Sequence, residues 1–207
     1  MNTLLHLWNV YQTVNEMLRD RGYDHLIAGK NIDTFEKFRE NHVEDAMNSD
    51  LIDRNTMNFV CENREKNKIM MVYFSKEETI GIKHITKIYD KMITGRISHC
   101  ILVHPKPISP AAKKYLEKTQ MVTIESFVEE DLLINITKHR MMPKYHVLTD
   151  TEKDLFYKTS RLQDSQFPRI SINDPVCRYY GVQRGDVLSI TRKSETAGKY
   201  VPYHVCN

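Results

Sequence analysis

The residues of this 207-residue chain best suited to hold a metal or act as nucleophiles are nine histidines and four cysteines, and their spacing assigns them neither task. A zinc protease needs two His one helical turn apart with a glutamate beside the first, and no histidine pair has that spacing. The nearest pairs, His99 with His104 and His139 with His146, lack Cys or acidic partners at ligand spacing and read as ordinary solvated histidines. Cys61, Cys100, Cys177 and Cys206 form no C-x-x-C pair, which excludes a zinc ribbon and a thioredoxin-type site. Gly198-Lys199 lacks the earlier Gly and the following Ser or Thr of a phosphate loop, and G-x-S-x-G is absent. A two-metal nuclease needs several carboxylates at strand ends, whereas the strand-like runs Ile69 to Phe74 and Cys100 to Val103 carry none. The expectation is a chain with no catalytic residues, no metal and no cofactor.

Charge is distributed unevenly about a net +3. Residues 1–65 carry seven basic and twelve acidic side chains, whereas Lys66 to Lys118 carries eleven and four. Two readings stand for the middle segment: an electrostatic footprint for a polyanion, or a solvated helix face. Arg184-Gly185-Asp186 reads as a turn with Gly185 at positive φ. Asn135-Ile136-Thr137 fits a glycosylation acceptor only in a secreted chain. The longest apolar run, Ile69 to Phe74, is far short of the roughly 18 residues of a membrane span, and Met1-Asn2-Thr3-Leu4 does not open a secretory leader. An intracellular protein with reduced thiols and no membrane partner is expected.

The elements that position these residues follow from period and caps. Leu4, Leu7, Trp8, Tyr11, Val14 and Leu18 mark one face of a helix ending near Gly22, and Asp33 with Glu36 predicts a capped second helix. Asn58 to Cys61 and Ile69 to Phe74 read as a strand pair, and Ile85, Ile88, Tyr89, Met92 and Ile93 as a helix stopped by Gly95. Cys100 to Val103 is a buried strand; His104 to Ile108 is a loop; Ser109-Pro110 caps and opens another helix; Met121 to Ile124 is a further strand. This alternation predicts an α/β layer, much of it parallel, over residues 1–141. Over 142–207, Tyr145 to Leu148, a capping box at Thr149 and Glu152, an Asp174-Pro175 helix start, Val187 to Thr191 and Tyr200 to Val205 predict a small α+β unit.

The second unit is dense in turns, caps and Arg forks: Ser165-Gln166-Phe167-Pro168-Arg169-Ile170, Asp174-Pro175-Val176-Cys177-Arg178-Tyr179-Tyr180-Gly181, Arg184-Gly185, and Ser194-Glu195-Thr196-Ala197-Gly198. In this order they resemble the family of the fifth subunit shared by the eukaryotic nuclear RNA polymerases, which has a shorter archaeal counterpart. The resemblance extends through Asp131 to His139, Gly81-Ile82-Lys83, Leu7-Trp8 and Asp20-Arg21-Gly22-Tyr23, covering nearly the whole chain. Lys193 and Tyr180 depart from the family's usual Pro and Phe, and two modules in one chain fit a eukaryotic or large-DNA-virus polymerase.

The resemblance implies an amino-terminal jaw domain, 1–141, with a nuclease-like α/β fold lacking a nuclease site, and a carboxy-terminal assembly domain, 142–207. It implies a non-catalytic subunit of a DNA-directed RNA polymerase. Its assembly domain would dock on the largest subunit through Arg169, Arg178, Tyr179, Arg192, Glu195 and Thr196. The loop Pro107 to Ala111 resembles the family's T-P-S-A loop, placing Lys106, Pro107, Ser109, Pro110, Lys113 and Lys114 near downstream double-stranded DNA held without sequence readout. Other polymerase subunits and transcription factors are the implied partners, and the nucleus, or a viral factory or virion in the cytoplasm, the implied place. Local readings stand beside these: Arg178 and Arg192 paired within the domain, Tyr179 in the core, Lys113 and Lys114 on a solvated face. An adaptor outside the polymerase and a stand-alone metal-dependent nuclease are the alternative functions.

Overall fold

The computed structural model describes residues 3–30, 32–43, 52–118, 122–161, 166–194 and 198–207, and contacts divide the chain into units 1–134 and 135–207. The first unit begins with α1 (Thr3–Asp20), whose apolar face Leu4, Leu7, Val10, Tyr11, Val14, Met17 and Leu18 is buried as its spacing predicts. It continues through β1 (His25–Ala28), α2 (Phe35–His42), β2 (Phe59–Asn63), β3 (Lys68–Phe74), α3 (Ile82–Thr94), β4 (His99–His104), α4 (Pro110–Lys118) and β5 (Thr123–Val128). The strands stand in sequence order, β1-β2-β3-β4-β5; β1, β2 and β3 pair antiparallel, and β3, β4 and β5 pair parallel.

Both faces of the sheet are covered, and this explains why β3 and β4 read as continuous apolar runs. Tyr11 of α1 packs on Phe38 of α2, Phe59 of β2 and Phe74 of β3 on one face. On the other, Ile85, Ile88 and Met92 of α3 and Ala112 of α4 pack with Met71, Cys100 and Leu102. Side chains alternate across a strand, so Phe74 and its neighbour Tyr73 serve opposite layers. The helix cap expected at Asp33 is instead Thr34, whose hydroxyl accepts from Lys37 N. Strand β1 has no counterpart in the sequence pattern, and its close approach to β2 depends on Gly29. That residue has φ +118°, and a Cβ there would lie 2.6 Å from the Phe59 Cβ.

The second unit holds β6 (Lys144–Val147), α5 (Asp150–Ser160), β7 (Arg169–Ile170), α6 (Pro175–Tyr180), β8 (Val187–Ser194), β9 (Gly198–Tyr200) and β10 (Tyr203–Cys206). Its strand order is β6-β8-β10-β7, with β9 against β8. Thr149 and Glu152 form the capping box of α5. Asp174 caps α6, and Gly181 closes it in the left-handed region. Cys177, Val182, Leu188 and Cys206 form the core. The run Tyr200 to Val205 is two strands separated at Val201-Pro202. Residues 135–141, read from sequence with the first unit, gather with the second: buried Asn135 donates from Nδ2 to the Tyr179 hydroxyl, 2.9 Å away.

Candidate functional site

The loops following β3 and β4 emerge at the same end of the parallel strands, where α/β layers present ligand-binding groups. Beyond β4, buried His104 donates from Nδ1 to Lys106 O at 2.7 Å, which ties the loop back on itself and fixes the ring tautomer. Ser109 Oγ accepts from Ala112 N, and Pro110 opens α4 at the position that needs no N–H partner. Lys106 is exposed but is paired with Glu78 from the loop after β3. Pro107, Pro110, Lys113 and Lys114 are exposed, Ser109 is half-buried, and neither Lys113 nor Lys114 makes an ion pair among the described residues. These six candidates therefore occupy one loop and the helix turn it feeds.

Carboxylates at this sheet are more numerous than the sequence reading allowed, because β5 extends beyond the predicted Ile124. It carries Glu125 and is followed by Glu129. Both are neutralised. Arg21, its side chain only 4% exposed, holds Glu125 by two bonds of 3.0 and 2.7 Å. Buried Glu129 receives both guanidinium nitrogens of Arg54, lies 3.3 Å from His6 Nε2, and is joined to the end of β3 by Arg54 donating to Ser75 O at 3.0 Å. An acid–base or metal role is opposed here because each carboxylate is already held and charge-balanced by a guanidinium. Among the described residues no group of three or more His, Cys, Asp or Glu is placed to hold a metal.

The remaining histidines and thiols also have structural surroundings. His146 Nε2 lies 3.1 Å from Glu152, His139 Nδ1 accepts from Met141 N, and burial lowers the His99 pKa. Burial pushes the thiols of Cys61 and Cys177 up to about 12, and that of Cys100 well above the usual range, leaving them protonated and inert.

In the second unit, Arg169 on β7 and Arg192 on β8 are exposed, Arg178 on α6 is half-buried and Tyr179 is core. Glu195 and Thr196 lie outside the described residues. Arg192 lines an open cleft of about 980 Å³ with Arg140, Lys144, Lys193 and Lys199. Strand register assembles these cations: Lys144 faces Thr191, the neighbour of Arg192, and Lys193 faces Lys199 directly. Like charges opposite one another oppose pairing. Met141, 82% exposed, adds an apolar lip. No acidic residue is among the described lining residues. Sequence reasoning found Arg192 alone of the five, because the others converge only through β6–β8–β9 pairing.

Comparison with known proteins bears directly on this pair of units. The family model described as RNA polymerase Rpb5, N-terminal domain, matches residues 2–92, and that described as RNA polymerase Rpb5, C-terminal domain, matches residues 134–206. The chain belongs to the Rpb5 family. Similar proteins named DNA-directed RNA polymerases I, II, and III subunit RPABC1 include those of Caenorhabditis briggsae, 36% identical, and Caenorhabditis elegans, 35% identical. Each comparison covers 96% of this chain and 94% of the relative. The Dictyostelium discoideum protein of the same name is 33% identical across the full length of both chains. This Rpb5-family chain is a non-catalytic accessory subunit of RNA polymerase, consistent with the neutralised carboxylates.

Proposed function

We propose that the chain serves a nuclear DNA-directed RNA polymerase as a positional subunit: the second unit is the assembly domain that docks on the largest subunit, and the first is the jaw that holds downstream duplex DNA. The observation that carries this is similarity across the whole chain to subunits named for polymerases I, II and III. On this reading the jaw is a nuclease-like layer whose Glu125 and Glu129 are held by arginines instead of metal. The cation-lined cleft around Arg192 supports an acidic docking partner, with Arg169 and Arg178 contributing from β7 and α6, and Glu195 and Thr196 from the segment after β8. Tyr179 contributes from the core by holding Asn135. At the other unit, Lys113 and Lys114 meet phosphates, while Pro107, Ser109 and Pro110 shape the approach and Lys106 exchanges Glu78 for phosphate. Transcription factors are further partners of the assembled enzyme.

The test is to tag the chain in its native cell, purify it at low salt and identify stoichiometric partners by mass spectrometry. Recovery with the two largest polymerase subunits is expected; recovery alone or with a chaperone or factor lacking them would replace the polymerase role with an adaptor role. Within the assembled polymerase, Lys106→Glu, Lys113→Glu and Lys114→Glu together should weaken downstream-DNA retention and lessen its salt dependence. Elongation complexes equally stable across a salt series would remove these residues from DNA contact.

A further inference from the structure

The exposed face of α3 carries Lys83, Lys87 and Lys91 at four-residue spacing, and this face lies outside both sites described above. Residues four apart stack along one side of a helix, so the three side chains leave α3 along a line of about 12 Å measured at its backbone. The opposite side of α3, Ile85, Ile88 and Met92, is buried against the sheet, which fixes the lysine face outward.

Three features separate this line from an ordinary solvated surface. Several cations elsewhere in the first unit are matched within the chain, Arg19 with Asp33, Arg21 with Glu125, Arg54 with Glu129, Lys76 with Asp53 and Lys106 with Glu78, although Lys113 and Lys114 of α4 are not. Lys83, Lys87 and Lys91 have no such match among the described residues. Of the nearby acids, Glu78 holds Lys106, Glu77 lies 3.3 Å from His84 Nδ1, and Asp90, three residues after Lys87, adjoins the lysine face without an ion pair to it among the described residues. Lys91 Nζ stands 5.1 Å from the centre of the Tyr73 ring, which restrains one end of the line before any ligand arrives. Beside it, an open pocket of about 210 Å³ is bordered by Tyr73, Lys76, Lys87 and Lys91, with the carboxylate of Glu77 and the ring of His84 on its rim.

We propose that α3 is a second nucleic-acid contact, in which Lys83, Lys87 and Lys91 follow the phosphates of one strand of a duplex. Phosphates of a strand advance about 3.4 Å along the duplex axis, so a line of about 12 Å covers about 3.5 phosphate steps, room for each lysine to meet a different phosphate. Lysines give point-charge contacts without bidentate base recognition, so binding is indifferent to sequence. The surface is additional to Lys113 and Lys114, and borrows from the proposed function only the kind of polyanion.

The purified full chain is titrated into a fluorescent 20-base-pair duplex of arbitrary sequence over a salt series, beside a Lys83→Gln, Lys87→Gln, Lys91→Gln variant, the corresponding Lys→Arg variant, and a separate Lys113→Gln, Lys114→Gln variant. The expected result is a log–log salt slope shallower by about 2.7 in the first variant, at about 0.9 per lost phosphate contact, and restored in the Arg variant. An unchanged slope in the first variant overturns the proposal, as does the absence of wild-type binding at 50 mM salt. A change confined to the Lys113 and Lys114 variant overturns it while leaving the jaw reading intact; the reverse pattern upholds α3 and removes α4. Loss of binding to a polyglutamate peptide with duplex binding intact assigns the face to an acidic protein instead, and overturns it.

Discussion

The first unit uses positive charge in two opposite ways. The Arg21 side chain is buried and that of Arg54 largely so, each gripping one carboxylate across the fold, whereas the lysines of α3 and α4 stand in solvent without carboxylate partners among the described residues. Guanidinium suits the first use because its planar fork matches a carboxylate and tolerates partial desolvation; ammonium on a flexible stem suits the second. The difference teaches which charges belong to the fold and which await another molecule. Exposure alone does not sort them, since Lys106 is exposed and still paired.

The strongest way to break this division is Arg54→Ala, which strands buried Glu129 and should cost about 3–5 kcal/mol in urea unfolding. Trp8, the single tryptophan, packs against Phe35 and Phe38 and reports unfolding of this unit. Arg54→Met with Glu129→Leu should recover most of the loss, and 0.5 M NaCl should leave the Arg54→Ala effect intact because buried pairs are weakly screened. A loss below about 1 kcal/mol would make Arg54 a surface charge after all.

A titratable counterpart lies at His42. Its Nδ1 donates to the Thr56 hydroxyl at 2.6 Å, that hydroxyl donates to Asp53 O, and the buried Nε2 has no hydrogen-bond partner among the described residues. Burial, aided by the Lys30 charge, lowers its pKa to about 4. The unfolded chain takes up the proton near pH 6.5 and the folded chain only near 4, so this contribution is whole above 6.5 and falls as pH drops towards 4. Up to about 3 kcal/mol of stability is at stake across that window. His42→Gln should flatten this part of the Trp8-monitored pH profile; an unchanged acid slope would place the sensitivity elsewhere.

At the small end, the Lys83, Lys87 and Lys91 to Gln variant should leave the Trp8 urea midpoint unchanged while altering the duplex salt slope. A displaced midpoint would mean these lysines support the fold, and the division between the two kinds of charge would fail.

Local pattern carried much of this molecule. The period of α1 and α3, the Ser109-Pro110 start of α4 and the capping box of α5 are written within single helical turns. Strand β1 escaped because it is a four-residue edge whose most apolar side chain, Ile27, is 50% exposed, leaving no alternation to read. Arg21 and Glu125 escaped as a pair because 104 residues separate them, and only the stacking of β5 beside β4 brings them together. The cation-lined cleft escaped similarly, since Lys144 and Arg192 are neighbours only through strand register. By contrast, the Lys83, Lys87 and Lys91 spacing was present in the basic segment, but its significance depended on seeing that these lysines make no ion pair among the described residues.

Strand order separates the units in time as well as space. In the first, each strand joins the edge left by the one before it, so a chain emerging from the ribosome can extend the sheet stepwise, α3 and α4 covering it between additions. In the second, β10 is the last strand in sequence yet sits between β8 and β7, so the parallel partner of β7 does not exist until the others have been synthesised. The first unit is therefore suited to folding during translation, and the second to closing only after its final strand has cleared the exit tunnel.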